Sequence, residues 1–187
     1  MFFDQPRPPG LEVLEEFINE DKATDLLHFV GHQEWKTELT RRVIHYGARY
    51  DYGGRVGAPG SAPPIPQEID WLVDRVRTIE GMGGGSMAVI VNEYLPGQGI
   101  SAHIDHLGWG PVICTLSLGW NVPMTFENGD KRLDVELPIR SLAVLTESAR
   151  YEWTHAIAAR KSDRVQGSRV LRSRRVSFTF RTQGDYK

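Results

Sequence analysis

A single cysteine, Cys114, stands in 187 residues, so no disulfide can form within the chain. It sits in an apolar, strand-like run, a usage that fits a reducing, cytoplasmic compartment better than a secreted scaffold. Long apolar runs are missing as well. Nothing approaches the roughly 20 consecutive apolar residues of a spanning helix, so no membrane partner is expected. Met1 to Gly10 is rich in proline and lacks the basic-then-apolar order of a secretion signal. No internal repeat or break in composition divides the chain. Residues 1–187 are therefore expected to form one domain, long enough to bury a substantial core, with a monomer as the expected state. The apolar share of 40% and the charged share of 25% are ordinary for a globular protein. A net excess of charge is also lacking, the formal value being −2. That balance conceals a basic run, Arg160, Lys161, Arg164, Arg169, Arg172, Arg174 and Arg175, whose only acid is Asp163. The start of the chain is acidic instead, through Glu12, Glu15, Glu16, Glu20 and Asp21. A local basic run fits a polyanion partner or a solvated loop, and charge alone leaves both open.

The patterning separates helices from strands. Leu11 to Ile18 reads as a short strand or entry segment. Asn19 can cap a helix from about Glu20 to His32, with Leu26, Leu27 and Val30 on its apolar side. His28 and His32 have ligand spacing, but Gln33 and Glu34 follow them and the pair reads as a solvated helix end. Thr40 to Tyr52 reads as a strand and bend crowded with aromatic and basic groups. The Gly-, Ala- and Pro-rich loop Gly53 to Pro66 has the length and composition of a mobile lid. Gln67 to Ile79 places Ile69, Leu72, Val73, Val76 and Ile79 at helical spacing, with Gly81 as a stop and Trp71 as a packing residue. Strands then follow: Met87–Tyr94, Ser101–Asp105, Val112–Leu118, Met124–Glu127, Leu133–Leu137, Ser141–Thr146, Tyr151–Ala156 and Arg175–Arg181. Short strands separated by close turns predict an α+β, mainly β fold: a double-stranded β-helix, or jelly roll, with N-terminal helices packed outside.

One stretch carries chemistry. It runs from Asn92 to His106, with Pro96-Gly97 in its middle and His103-Ile104-Asp105 near its end. Side chains two apart on a strand share a face, so His103 and Asp105 aim into one space. An imidazole and a carboxylate converging in this way are two members of the two-histidine, one-carboxylate triad that holds non-haem Fe(II) with open positions. Of the six histidines, His155 in Tyr151-Glu152-Trp153-Thr154-His155 is best placed as the third, although a core histidine bonded to a carbonyl reads the same way. On the last strand Arg175, Ser177, Thr179 and Arg181 alternate with Val176, Phe178 and Phe180. Two guanidiniums facing a sandwich interior need anions, and a small dicarboxylate between them satisfies both forks. A solvent-facing strand would alternate identically.

The ordered set Asn92-x-Tyr94, Pro96-Gly97, His103-x-Asp105, Ser117-Leu118-Gly119, Leu137-Pro138, Arg140-Ser141-Leu142, Glu147-Ser148-x-Arg150, His155 and Arg175 with Arg181 resembles the AlkB family of Fe(II)/2-oxoglutarate dioxygenases over roughly residues 10–183. Through His45 to Tyr52 and Arg150 to His155 it is most similar to the dioxygenase domain of the tRNA wobble-uridine hydroxylases. The resemblance implies that His103, Asp105 and His155 bind Fe(II), with 2-oxoglutarate as co-substrate and O2 as oxidant. It implies that Arg175 and Tyr94 hold the distal carboxylate, Arg181 and Asn92 lie at the keto-acid end, and Ser177 adds a polar contact. Nucleic acid is the implied partner: alkylated DNA or RNA whose bases are oxidatively dealkylated, or tRNA hydroxylated on a wobble uridine. A protein or small-molecule substrate is a further alternative. Tyr46, Tyr50, Tyr52, His106 and Arg150 are the expected substrate contacts, with Arg41, Arg42 and Arg49 able to hold phosphates. Repair members often carry an acid two positions after the metal aspartate, where this chain has Leu107.

Overall fold

The computed structural model describes residues 6–37, 39–48, 50–51, 55–56 and 61–183, with 50–51 and 55–56 described by their backbone alone. Strand β1 (Leu11–Leu14) leads to helix α1 (Glu20–Gly31). The Asn19 side chain caps that helix by accepting from the Lys22 amide at 2.9 Å. Strand β2 (Arg42–Tyr46) and the short β3 (Tyr50–Asp51) and β4 (Arg55–Val56) follow, and a 3-10 turn at Gln67–Ile69 opens α2 (Asp70–Arg77). Next come β5 (Met87–Tyr94), β6 (Ile100–His103), β7 (Trp109–Leu118), β8 (Val122–Asn128), β9 (Lys131–Leu137) and β10 (Leu142–Leu145). A helical turn, α3 (Glu147–Tyr151), precedes β11 (Thr154–Ile157), β12 (Ser162–Val165), β13 (Ser168–Leu171) and β14 (Arg175–Gln183).

Two antiparallel sheets carry the fold, one ordered β1-β10-β7-β14-β5-β2 and the other β6-β11-β8-β9. Period-two alternation decides what each face of the larger sheet does. Val89 and Val91 of β5, with Phe178 and Phe180 of β14, turn outward and bury against Leu26, Val30, Leu72 and Val76 of the two long helices. The expected helices outside a jelly roll are thus in place. Between the sheets lies a second cluster that includes Trp109, Ile113, Val122, Met124, Phe126 and Trp153. The inward positions of β14, Arg175, Ser177, Thr179 and Arg181, are polar, as is Asn92 on β5, and the helix layer that seals the outer face leaves the inner face for a cavity.

Three local expectations are corrected. Glu147–Tyr151 forms α3, so the predicted strand Tyr151–Ala156 begins only at Thr154. Burial of Ala149 and Arg150, with the Ala149 amide bonded to the Pro9 carbonyl at 2.8 Å, holds that turn in place. Strand β6 ends at His103, which puts Asp105 on the loop that follows. The basic run, where no strand was expected, contains a hairpin, β12–β13.

Candidate metal and co-substrate site

The two histidines meet because β11 returns antiparallel beside β6 with His155 directly opposite His103. Their ring centroids are 4.4 Å apart. The His103 Nδ1 lies 2.8 Å from the Ser101 carbonyl. A proton there is donated to that oxygen and leaves Nε2 as the ligand atom. His155 Nε2 lies 3.8 Å from Asp105 Oδ2. Ligand atoms of His103, Asp105 and His155 all fall within 4.8 Å of one another, the only such cluster among the described residues.

Charge and burial tune these groups. Burial lowers the His155 imidazole to about 4 against the opposing pull of Asp105, so the ring is neutral at physiological pH and its lone pair is available. Burial also pushes the Asp105 carboxyl up. Arg181 foremost, then His155, His103 and Arg150, outweigh that push and hold it below the usual carboxylate range. Arg181 makes a short ion pair with Asp105 Oδ1 and lies over the Trp109 ring at 5.6 Å.

Arg150 was expected at the substrate, and the structure places it elsewhere. Its guanidinium, in a residue 1% exposed, donates to the carbonyls of Asp105 at 2.8 Å, His106 at 2.9 Å, Gly110 at 3.3 Å and Trp109 at 3.4 Å. It is a staple for the loop that presents the aspartate. Tyr46 is corrected too. It is buried in the helix-side core, its hydroxyl donates to Gln33 Oε1 at 3.1 Å, and burial raises that hydroxyl to about 12. No base can stack on it there. Arg42 lies on the outer face as well, paired with Glu93 at 2.5 Å. The Tyr50 side chain, Arg49, Tyr52 and much of the expected lid, including Gly53, Gly54 and 57–60, lie outside the described residues. His106 does line the cavity, its Nδ1 accepting from the Gly108 amide at 2.9 Å, whereas Leu107 is exposed and not part of the lining. The His28 and His32 rings lie 4.4 Å apart and tilted at the C-terminal end of α1, with no third ligand among the described residues.

Beside the triad a cavity of about 410 Å³ opens between the sheets, lined by Asn92, Tyr94, Arg175, Ser177, Thr179 and Arg181 among others. Arg175 is buried with its Nη2 donating to Ser117 Oγ at 2.9 Å and its guanidinium 5.4 Å from the Tyr94 ring. Among the described residues no carboxylate pairs with it, and Nε of both Arg175 and Arg181 lacks a hydrogen-bond partner. Burial accordingly presses the Arg175 guanidinium below its ordinary value. A buried, unpaired guanidinium is costly and calls for an anion. A keto-diacid therefore fits this face, and a divalent metal fits the imidazole–carboxylate–imidazole donor set. Sequence reasoning quoted Ser117 only within the family pattern and read Arg41 as a phosphate contact; the structure adds that Ser117 reaches Arg175 through the β7–β14 register and that Arg41 Nε donates to Asn92 Oδ1 at 3.0 Å. Neither contact has a signal in the sequence, since both depend on which strands lie side by side.

Residues 12–181 match the 2OG-Fe(II) oxygenase superfamily. The chain belongs to that superfamily. It is a dioxygenase domain of the AlkB-like kind, using Fe(II), 2-oxoglutarate and O2. Mouse tRNA (carboxymethyluridine(34)-5-O)-methyltransferase ALKBH8 is 33% identical over 93% of this chain, which covers 30% of that protein. The Arabidopsis thaliana alkylated DNA repair protein ALKBH8 homolog is 32% identical over 92% of this chain and 58% of its own length. The chain thus spans roughly a third to just over half of these relatives. In structure it superposes on OsALKBH1 with a TM-score of 0.68 at 17% identity, covering 95% of this chain and 98% of that one, which shows a shared fold.

Proposed function

We propose that this superfamily member oxidises bases in nucleic acid, with oxidative dealkylation of alkylated DNA or RNA as its reaction. The observation that carries the reading is the cavity of about 410 Å³ between the metal triad and the rim, with room for one base beside the co-substrate. With Fe(II), 2-oxoglutarate and O2 bound, the centre couples decarboxylation of the co-substrate to succinate with hydroxylation of the substrate. His103, Asp105 and His155 hold the metal, and Arg181 keeps Asp105 ionised and aimed. Arg175, supported by Ser117 and with Tyr94 beside it, takes the distal carboxylate. Arg181 and Asn92 orient the keto-acid end, Ser177 contributes a further polar contact, and His106 stands at the rim where a base enters. Water is excluded by Ile100, Ile104, Met124 and Ile157, which line the same space.

A second reading, hydroxylation of a wobble-uridine side chain in tRNA, is favoured by the lining itself. Among the described residues its only carboxylate is the metal ligand Asp105, so an exocyclic amine of adenine or cytosine finds no free carboxylate acceptor there. The two reactions differ in product. Dealkylation releases formaldehyde from an N-methyl group, and side-chain hydroxylation leaves the new hydroxyl in place. Succinate release from the Fe(II)-loaded chain, stimulated by methylated single-stranded oligonucleotide, by tRNA or by neither, tests them. Stimulation with formaldehyde supports dealkylation, stimulation by tRNA alone supports the second reading, and none with any nucleic acid overturns both. We also assign the chain to the cytoplasm, on the strength of its lone, buried cysteine.

A further inference from the structure

The β12–β13 hairpin is not used by the metal centre, yet it is tied to the cavity's rim. It follows closely on Ile157, a lining residue. The Gly97 amide donates to the Arg160 carbonyl at 3.2 Å, and the Lys161 side chain packs over Gly97. From the same turn Gln98 Nε2 donates to the Thr40 carbonyl at 2.6 Å, next to the cavity-lining Arg41. Hairpin, turn and Arg41 form one continuous lip.

Charge within the hairpin is unevenly spent. Arg172, 8% exposed, donates to both oxygens of Asp163 at 2.6 and 2.9 Å and to the Ala158 carbonyl at 2.8 Å. Arg160 adds a further contact to Asp163 at 2.8 Å. The one acid between 158 and 174 is thereby neutralised inside the hairpin. Lys161, Arg164 and Arg169 are exposed, and none of them has an ion pair among the described residues. The strand register sets Arg164 directly opposite Arg169. A turn through Gln166 and Gly167, at φ 49° and 81°, holds that register. Like charges directly opposed destabilise a two-stranded ladder. Arg169 Nε reaches only the Ser162 hydroxyl, at 3.0 Å. A like-charged pair with no counter-ion among the described residues is suited to an anion from outside.

We propose that this hairpin is the docking surface for a nucleic-acid backbone. One phosphate is shared between the Arg164 and Arg169 guanidiniums and a neighbouring one sits at Lys161, holding the strand while one base enters the cavity. The proposal rests on the nucleic-acid reading above and names the surface that serves it. The test is fluorescence anisotropy of labelled single-stranded RNA and DNA of one sequence against the full chain, wild type and R164Q/R169Q, across a salt series. For the strand that the wild type binds, the variant should bind about tenfold more weakly at low salt. Its salt slope should be shallower by roughly 1, as expected for losing one or two phosphate contacts. Succinate release without a nucleic-acid substrate should be unchanged, and Tm should hold or rise because the like-charge pair is gone. A variant that binds with wild-type affinity and slope overturns the docking surface and leaves the nucleic-acid reading standing. A wild type that binds neither strand overturns this proposal, and the succinate assay above then decides the nucleic-acid reading separately.

Discussion

Arg150 and Arg175 are both buried arginines, and they are satisfied in opposite ways. Arg150 spends its donors on four carbonyls of the loop after β6 and the start of β7, so its charge is spread over peptide dipoles that also fix Asp105. Removing it takes a donor from each of those carbonyls in a water-poor region, although His106 O keeps the Trp109 amide, and an unsatisfied buried polar group costs about 1–3 kcal/mol. We predict that R150A is destabilised by about 2–4 kcal/mol and that its folded fraction binds Mn(II) at least tenfold more weakly, with R150K recovering part of both. Urea titration and Mn(II) titration followed by EPR measure the two effects. Arg175 by contrast keeps a fork only partly used, with Ser117 as its hydrogen-bond partner. Lysine offers the same charge as a point and cannot form the bidentate pair. R175K should therefore raise the KM for 2-oxoglutarate by about 10- to 100-fold while changing kcat less at saturation, a split that steady-state succinate assays resolve. Cys114 needs no such partner. Burial raises its thiol to about 12, and it behaves as a small apolar residue of the core.

At the scale of elements, the metal centre depends on how closely β6 approaches β11. Gly99 stands just before β6, where a Cβ would fall on the Ile157 carbonyl oxygen and crowd the Ala159 amide nitrogen at 2.8 Å. Backbone atoms cannot yield as a flexible side chain can, so G99A must displace β6 from its neighbour. The expected outcome is His103 moved out of register with His155, a loss of roughly 1–3 kcal/mol of stability as for other overpacked sites, and weakened Mn(II) binding. The control is G129A at an open turn, where a Cβ meets nothing within 4 Å and only the backbone strain at φ 57° is felt. Should G99A bind metal like the wild type, the close approach is not what sets the histidine pair. Strand β14 shows the complementary logic: its apolar face seals against the helices and its polar face needs a ligand.

At the scale of the whole molecule, the strands on either side of β5 are joined by one buried carboxylate. Glu93 on β5 accepts from Arg42 on β2 at 2.5 Å and from Arg174, just before β14, at 2.7 Å. Burial pushes its carboxyl up, but hydrogen bonds and attraction from the two arginines win and hold it below its ordinary 4.5. A folded-state value below the unfolded one means stability present above pH 4.5 and lost as the pH falls through the lowered value. We predict that the urea midpoint of the wild type declines below about pH 4.5. E93Q, already less stable at pH 7 by about 1–3 kcal/mol because its arginines are partly exposed, should lack that share of the decline. Much of this design was legible in the sequence: alternation on the strands, helical spacing in 67–79, the Asn19 cap, the His-x-Asp pair and the arginine face of the last strand. These are local, because a side chain's face follows from its position along a strand or helix. What the sequence could not decide was proximity. Whether Tyr46 faces a base or the helices, whether Arg150 touches substrate or staples the aspartate's loop, and which serine meets Arg175 depend on which strands become neighbours. Strand order and register are set by the burial of the entire chain at once, and only the tertiary structure records that outcome.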